Sequence, residues 1–306
     1  MRKVLVLGTM VALMLGTASL ALASDNPDYD KAQAKAAKLA ESLKSYEIHA
    51  DLAMEQKPVG APEGMKFEAT QTSAARMPDR LMVSIESPMF VQTWGTGSES
   101  SWFYFAQQKT CYVGEPVQLN RNLDSGESMG LDENQVYNFY AGVGEYLLTD
   151  DIMVDATTGS ETLTVNEKEV TCQVFTFEVT GEDGATKTGN GTYWFDPKSG
   201  LVLKSAVTSL GQQGGQTMEG TMTSTITSFT LNKDVAEDKF SYTPAVDTRI
   251  VNSFDRLLNP DSMVGEMAPE ISFTTFDGKT LNLADYRGKV VFLGASNEPR
   301  PPSKAG

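Results

Sequence analysis

The amino-acid sequence predicts a mainly β protein with a few helices, and three observations support this fold class. From Tyr46 to Pro244, short stretches of β-branched and aromatic residues alternate with turn residues. Such spacing is typical of an antiparallel sheet or barrel. Residues 191–205 have the composition of a β-hairpin. Apolar residues recur at clear helical spacing in two segments, residues 28–45 and 131–148.

The hairpin within residues 191–205 is the clearest single element. Its first strand, Thr192–Phe195, consists of residues that suit a pleated, half-buried surface. The turn Asp196-Pro197-Lys198-Ser199-Gly200 begins with Asp, presets φ with Pro and ends with Gly, which adopts positive φ at no steric cost. Leu201–Leu203 returns as the second strand. Because a hairpin is not stable alone, the other strands must supply neighbours and a buried face.

The first 23 residues have the features of a secretory signal peptide. A basic start, Met1-Arg2-Lys3, precedes an apolar run from Val4 to Leu22, and Ala21-Leu22-Ala23 is a small-x-small cleavage site. The alternative is an uncleaved membrane anchor. We therefore expect a periplasmic or secreted protein, cleaved after Ala23, with no transmembrane segment thereafter.

The charge and the histidine content exclude several classes of function. The net charge is −15, and removal of Arg2 and Lys3 leaves −17, which disfavours nucleic acid and anionic lipid headgroups as partners. His49 is the one histidine, which rules out His-rich metal sites and weakens any Ser–His or Cys–His catalytic interpretation. We expect no metal and no cofactor.

The two cysteines, Cys111 and Cys172, leave two interpretations open. Each falls in a predicted strand, and an even pair in an exported protein is permitted to form a disulfide. The alternative is two buried thiols. Intact-mass analysis with and without reductant distinguishes them.

The elements follow in chain order. Ala32, Ala36, Leu39 and Leu43 give residues 28–45 a narrow apolar stripe, which predicts a helix that docks on the sheet. Residues 131–148 predict a second helix, either a lid or a plug for one end of the sheet. Phe240–Pro244 is predicted as the closing strand, and a short helix is possible at residues 248–258. The remaining predicted strands are residues 46–56, 65–73, 81–86, 90–94, 101–105, 109–113, 161–165, 169–179, 188–195, 201–209 and 217–231.

Four features of the chain belong together: the signal peptide, the first helix, the strand that begins at Ser45-Tyr46 and the Trp194-Phe195-Asp196-Pro197 turn. Their combination resembles the LolA-like superfamily of periplasmic lipoprotein carriers. The resemblance covers residues 28–245. It implies a curved, unclosed antiparallel half-barrel with helices over its concave face. It also implies an apolar cavity for acyl chains and supplies no catalytic residues.

Aromatic and methionine side chains are the candidates to line such a cavity. We assign this role to Trp94, Phe103, Phe105 and Met82, and strand alternation places Phe103 and Phe105 on one face. The alternative is that these residues are ordinary core. Further candidates with adaptable or aromatic side chains are Met54, Met65, Met89, Trp102 and Tyr104.

The segment Val264 to Leu293 resembles the start of a redoxin, the thioredoxin-like group that includes TlpA-type oxidoreductases and peroxiredoxins. Residues 271–275 and 279–283 predict a hairpin around Asp277-Gly278, and residues 289–293 predict a buried strand. In that family a catalytic Cys follows at a helix N-terminus, where its pKa is lowered. This chain continues instead with Gly294 to Gly306, which contains no Cys.

These resemblances predict the organisation of the chain and its function. The predicted parts are a signal peptide at 1–23, a LolA-like domain at 24–245, a linker at 246–262, a truncated redoxin-like segment at 263–293 and a disordered aberrant tail at 294–306. The predicted function is a non-enzymatic carrier for lipid or another apolar ligand. The alternatives are a thiol–disulfide oxidoreductase or peroxidase in the intact architecture, and a structural protein that binds envelope proteins through a strand edge.

Overall fold

A computed structural model describes residues 26–121, 137–148, 153–180, 186–253, 256–257, 272–274, 279–289 and 291. The chain divides into two compact units, residues 1–252 and 253–306. The predicted signal peptide and the predicted tail at 294–306 lie outside the described residues.

The first described element is helix α1, Pro27–Ser42, which confirms the predicted N-terminal helix. The Asn26 side chain caps it by accepting hydrogen bonds from the amides of Asp28 and Tyr29, at 3.1 and 3.2 Å. Its stripe of small buried side chains includes Ala32 and Ala36. This stripe packs on the sheet together with Tyr29, against Phe175, Phe195 and Val202.

Antiparallel strands make up most of the first unit. They are β1 (Ser45–Pro58), β2 (Met65–Arg76), β3 (Arg80–Glu86), β4 (Val91–Thr96), β5 (Ser101–Phe105), β6 (Thr110–Gly114), β7 (Leu119–Asn120), β8 (Tyr137–Asn138), β9 (Met153–Val165), β10 (Lys168–Thr180), β11 (Lys187–Phe195), β12 (Val202–Gln213), β13 (Gln216–Leu231) and β14 (Arg249–Val251).

Twelve of these strands form one large curved open sheet, which confirms the mainly β part of the predicted fold class. Their order is β14-β6-β5-β4-β3-β2-β1-β13-β12-β11-β10-β9. All neighbours are antiparallel except β14 and β6, which are parallel. Strands β7 and β8 form a separate parallel pair.

The predicted hairpin is present as β11 and β12. Between them the Asp196 carboxylate accepts hydrogen bonds from the amides of Lys198 and Ser199, at 2.9 and 3.0 Å. Gly200 has a φ of +86°, as the turn requires. The turn chemistry therefore determined this element locally.

The face that carries α1 is called the inner face here, and a second segment, residues 137–148, also lies on it. The hydroxyl of Tyr46 donates to the carbonyls of Phe139 and Ala141, at 3.0 and 3.1 Å. The hydroxyl of Ser73 donates to the carbonyl of Gly142 at 3.0 Å. Residues 137–148, called the covering segment below, are thus hydrogen-bonded to the sheet through their backbone.

The predicted helix at 131–148 is wrong in its described part. Residues 137–148 contain strand β8, turns and a short 3₁₀ helix, Gly144–Tyr146. Gly142 has a φ of +101°, which interrupts a right-handed helix. Carbonyls that an α-helix would use internally instead accept hydrogen bonds from side chains of the sheet.

Two predictions near the end of the first unit are also wrong. Residues 240–244 do not form a strand. Phe240 ends a 3₁₀ helix, Glu237–Phe240, and packs with Ala74 on the outer face. Within the possible helix at 248–258, residues 249–251 instead form β14 at the sheet edge, whereas residues 256–257 are helical.

The described part of the second unit is a small hairpin followed by a 3₁₀ turn. Strand β15, Ser272–Thr274, pairs with β16, Thr280–Asn282, as the sequence predicts. Leu283–Tyr286 is 3₁₀. The predicted strand at 289–293 falls largely outside the described residues, and the thioredoxin-like assignment rests on the sequence.

Cys111 and Cys172 are separate, buried free thiols in the structure, which agrees with the second of the two interpretations. Cys111 lies on β6 and Cys172 on β10, with eight strands between them in the sheet order. Burial raises the pKa of Cys111 to about 12 and that of Cys172 to about 11. Neither thiol is therefore an activated nucleophile.

Replacement of Tyr46 by Phe tests the attachment of the covering segment. We expect Tyr46→Phe to lower the free energy of unfolding by about 1–3 kcal/mol, because the buried carbonyls of Phe139 and Ala141 lose the one hydroxyl proton that they share. Urea unfolding measures it. Tyr104→Phe, at a half-exposed outer position, is the control and should change stability by less than about 0.5 kcal/mol. Equal stability of wild type and Tyr46→Phe would contradict the described attachment.

Alkylation tests the state of the thiols. Because burial favours the neutral thiol, iodoacetamide should label the native protein slowly at pH 8, and faster as the pH rises towards the raised pKa values of the two thiols. In denaturant without reductant, mass spectrometry should detect two labels. Absence of labels until a reductant is added would demonstrate a disulfide.

Candidate functional site

The inner face of the sheet is uncharged over most of its width. Strand pairing assigns every residue to a face, since directly paired residues share one. On the described strands β1–β6, β12 and β13, none of the inward-facing residues is Asp, Glu, Lys or Arg. The acidic residues of these strands face outwards, where they give the surface its negative charge.

One end of the inner face is tightly packed. Four inward-facing side chains are buried beneath the covering segment and its neighbours. They are Tyr46 and Ile48 on β1, and Leu81 and Val83 on β3. Tyr46 and Phe139 form an edge-on ring pair with centroids 5.5 Å apart. This end is a closed core.

The other end of the inner face is partly open. Phe67, Met54, Met222 and Val207 pair directly with one another across β2, β1, β13 and β12, so they form one continuous row. All four are only half-buried. We call them the apolar row. Partly exposed apolar side chains in a continuous concave line are typical of a ligand-binding surface.

Aromatic contacts extend the apolar row at both ends. Phe90, from the loop after β3, stacks on Phe67 with ring centroids 5.3 Å apart. At the other end, Gly191 pairs with Val207, and the ring of Phe177 lies over this glycine. A Cβ atom at position 191 would lie 2.1 Å from the Phe177 ring, so only glycine fits there.

The covering segment borders the open end with the 3₁₀ turn Gly144–Tyr146. The hydroxyls of Tyr146 and Ser224 are hydrogen-bonded at 2.8 Å, and Ser224 is the next inward-facing residue after Met222 on β13. Gln71 donates to the carbonyl of Gly142 at 3.2 Å. The turn is therefore held one inward-facing position away from the apolar row, about 7 Å along the strand.

Glu145 is the one charged residue of the covering segment. Desolvation raises the pKa of its carboxyl, and hydrogen bonds from Tyr146 and Gln71 offset part of that effect. The side chain nevertheless keeps an exposed surface. The carboxyl of Glu145 therefore has protein on several sides, and water still reaches it. We call this place the recess.

Two tyrosines share this recess with Glu145. Burial, followed by the charge of Glu145, raises the pKa of Tyr193 to about 12. Burial and the same carboxyl also raise the pKa of Tyr146 well above its usual value, and Asp51 contributes in the same direction. Both phenols are neutral hydrogen-bonding groups at physiological pH.

The four residues predicted to line a cavity have different positions. Trp94 and Phe103 are paired on the inner face and stacked 5.6 Å apart, but both are buried. Phe105 shares their face and is half-exposed. Met82 is on the outer face, packed against the Ala74 cluster, because it pairs with Gly95 at an outward position. Phe105 is therefore the one of these four residues that lies on the inner face and is only half-buried.

Sequence reasoning missed several members of the site. Met54 was among the predicted candidates, but its partners Met222 and Phe67 were not singled out, since their adjacency depends on the β1–β13 pairing. Glu145 fell within a predicted helix. A single acidic residue among apolar neighbours at 139–148 was the signal that could have identified it.

Two further features of the described residues concern metal ligation and membrane spanning. In the described ranges, no group of three or more His, Cys, Asp and Glu side chains is placed to hold a metal ion. No helix in the described part of the chain combines the length and apolar character needed to cross a bilayer.

Comparison with known proteins gives likenesses to solved structures alone. No family model and no curated protein sequence matches the chain. A LolA-superfamily protein, NE2245 from Nitrosomonas europaea, is 10% identical, with a TM-score of 0.26, over 70% of this chain and 97% of that one.

Two further structures give similar values. A DUF1329 family protein from Desulfovibrio piger is 11% identical, with a TM-score of 0.28, over 70% of this chain and 97% of its own. The MucA/MucB complex of Pseudomonas aeruginosa is 12% identical, with a TM-score of 0.28, over 82% of this chain and 74% of the matched chain. The solved structures similar to this chain therefore include a member of the LolA superfamily.

Proposed function

We propose that the protein is a non-enzymatic binding protein that holds an apolar ligand, such as an acyl chain, on the inner face of its sheet. The observation that carries the proposal is the apolar row, Phe67, Met54, Met222 and Val207, which is continuous, uncharged and half-exposed. A soluble protein has no structural need to leave such a row uncovered.

Methionine suits this role for a physical reason. Its unbranched thioether side chain has three rotatable bonds and adapts to irregular apolar surfaces. Met54 and Met222 face each other at the centre of the row, and Met65, on the same face of β2, is 63% exposed. A flexible chain of methylene groups would find adaptable contacts along this line.

The location and the second unit are parts of the same proposal. The signal-peptide features of residues 1–23 support action in the periplasm or outside the cell. The resemblance of residues 264–293 to a redoxin start supports a fused thioredoxin-like fragment without its catalytic Cys, and the β15–β16 hairpin is compatible with it. Since Cys111 and Cys172 are buried with raised pKa values, the proposal includes no redox reaction.

A charge placed in the apolar row tests the proposal. We expect Met54→Glu to weaken binding of the neutral dye N-phenyl-1-naphthylamine by about tenfold or more, because the bound dye would displace water from the new carboxylate. Fluorescence titration measures the dye, and displacement by 1-dodecanol measures an alkyl ligand. Met54 is half-exposed, so the variant should fold.

The matched control is Ala53→Glu, which adds the same charge one residue away on the outer face of β1. This variant should bind the dye as the wild type does. If wild-type protein binds neither the dye nor the alcohol, the proposed function is wrong. Equal losses in both variants would place binding away from the inner face.

A further inference from the structure

Glu145 presents a carboxyl group to an otherwise uncharged surface. The inward-facing residues of the described strands β1–β6, β12 and β13 contribute no acid and no base. The covering segment contributes Glu145 alone. Among these described residues, an amphiphilic ligand on the apolar row would therefore meet one carboxyl group at the border of that row.

The position of this carboxyl is determined by its neighbours. Tyr146 is bonded to Ser224 on β13, and Gln71 on β2 is bonded to the backbone of the same segment. Glu145 itself accepts hydrogen bonds from Tyr146 and Gln71. A relay in which Ser224 donates to Tyr146, and Tyr146 donates to Glu145, satisfies all three side chains.

The recess spans a wide part of the sheet. Glu145 interacts with Gln71 on β2 and with Tyr193 on β11. Strands β1, β13 and β12 lie between those two strands in the sheet order. The apolar row crosses β2, β1, β13 and β12 in the same region.

The described groups around Glu145 include no cation. Its hydrogen-bond donors are a neutral phenol and a neutral amide, and the other charge acting on this region is the acid Asp51. Beside an apolar surface the effective dielectric constant is lower than in bulk water, so a carboxylate there attracts a cation more strongly. The feature that this environment lacks is a positive charge.

We propose that Glu145 recognises the ammonium group of a cationic amphiphile whose alkyl chain lies along the apolar row. This inference rests on the proposed function, since the row must bind the alkyl chain first. The ammonium would donate charge-assisted hydrogen bonds to the carboxylate, which are stronger than neutral ones in a partly desolvated recess. The ring of Tyr193 offers an aromatic neighbour for the same cation.

Paired alkyl probes test the inference by isothermal titration calorimetry on the full chain. Dodecylammonium and 1-dodecanol share the same alkyl chain and differ in the charge of the headgroup. Wild-type protein should bind dodecylammonium about tenfold or more tightly than 1-dodecanol, consistent with a hydrogen bond to a charged group. Glu145→Gln keeps the size and the hydrogen-bonding capacity and should abolish that preference without weakening 1-dodecanol.

The control variant is Glu68→Gln, which removes one negative charge from an exposed position on the outer face of β2. It should retain the preference for the amine, which separates local recognition from the general attraction of an acidic protein. A loss of preference in Glu68→Gln equal to that in Glu145→Gln would overturn the inference.

The pH dependence gives a second readout. Because desolvation raises the pKa of Glu145, lowering the pH neutralises this carboxyl earlier than an ordinary one. Affinity for dodecylammonium should therefore fall as pH decreases through that raised pKa, while affinity for 1-dodecanol stays constant. Tyr146 and Tyr193 are neutral throughout this range, and Asp51→Asn should leave the profile in place.

The outcomes separate the two proposals. If neither probe binds, the proposed function fails. If 1-dodecanol binds and dodecylammonium binds no more tightly, the apolar row binds ligand and the assignment of Glu145 is wrong.

Discussion

The pairing of β1 with β13 is the interaction on which the rest of this structure depends. These two long strands come from opposite ends of the first unit, and they pair from Tyr46 with Leu231 to Pro58 with Met218. The pairing joins the meander β1–β6 to the meander β9–β13 as one sheet. It also places Met54 beside Met222. Without this contact the apolar row would be two separate pairs, Phe67 with Met54 and Met222 with Val207. Contacts of such high sequence separation are entropically costly to form and tend to fold late.

The covering segment shows how the same sheet can have a closed end and an open end. Its backbone carbonyls accept hydrogen bonds from Tyr46, Ser73 and Gln71, so the segment needs no helix of its own to satisfy them. Together with α1 it closes one end of the inner face. Its turn Gly144–Tyr146 contacts Ser224, one inward-facing residue away from Met222, and so places Glu145 near the half-buried apolar row.

The distribution of charge and of thiols agrees with the proposed binding of an apolar ligand. Acidic residues of the central strands face outwards, and the inward-facing side is apolar or weakly polar. The two cysteines are buried among strands, where desolvation keeps them neutral. These features are compatible with the proposed retention of an apolar molecule.

The sequence by itself determined the locally encoded elements. The cap and small-residue stripe of α1, the Asp196–Gly200 turn and the β15–β16 hairpin depend on residues close in the chain, so composition and spacing sufficed to predict them. The helix predicted at 131–148, the strand at 240–244 and the position of Met82 were wrong where described, because each depends on partners distant in the sequence. The hydroxyls of Tyr46 and Ser73 donate hydrogen bonds to backbone carbonyls of residues 139–142 that an α-helix would use internally. The pairing of β3 with β4 turns Met82 outwards. Only the tertiary structure could decide which apolar residues remain exposed in one row, since that row is created by strand pairs that close long loops.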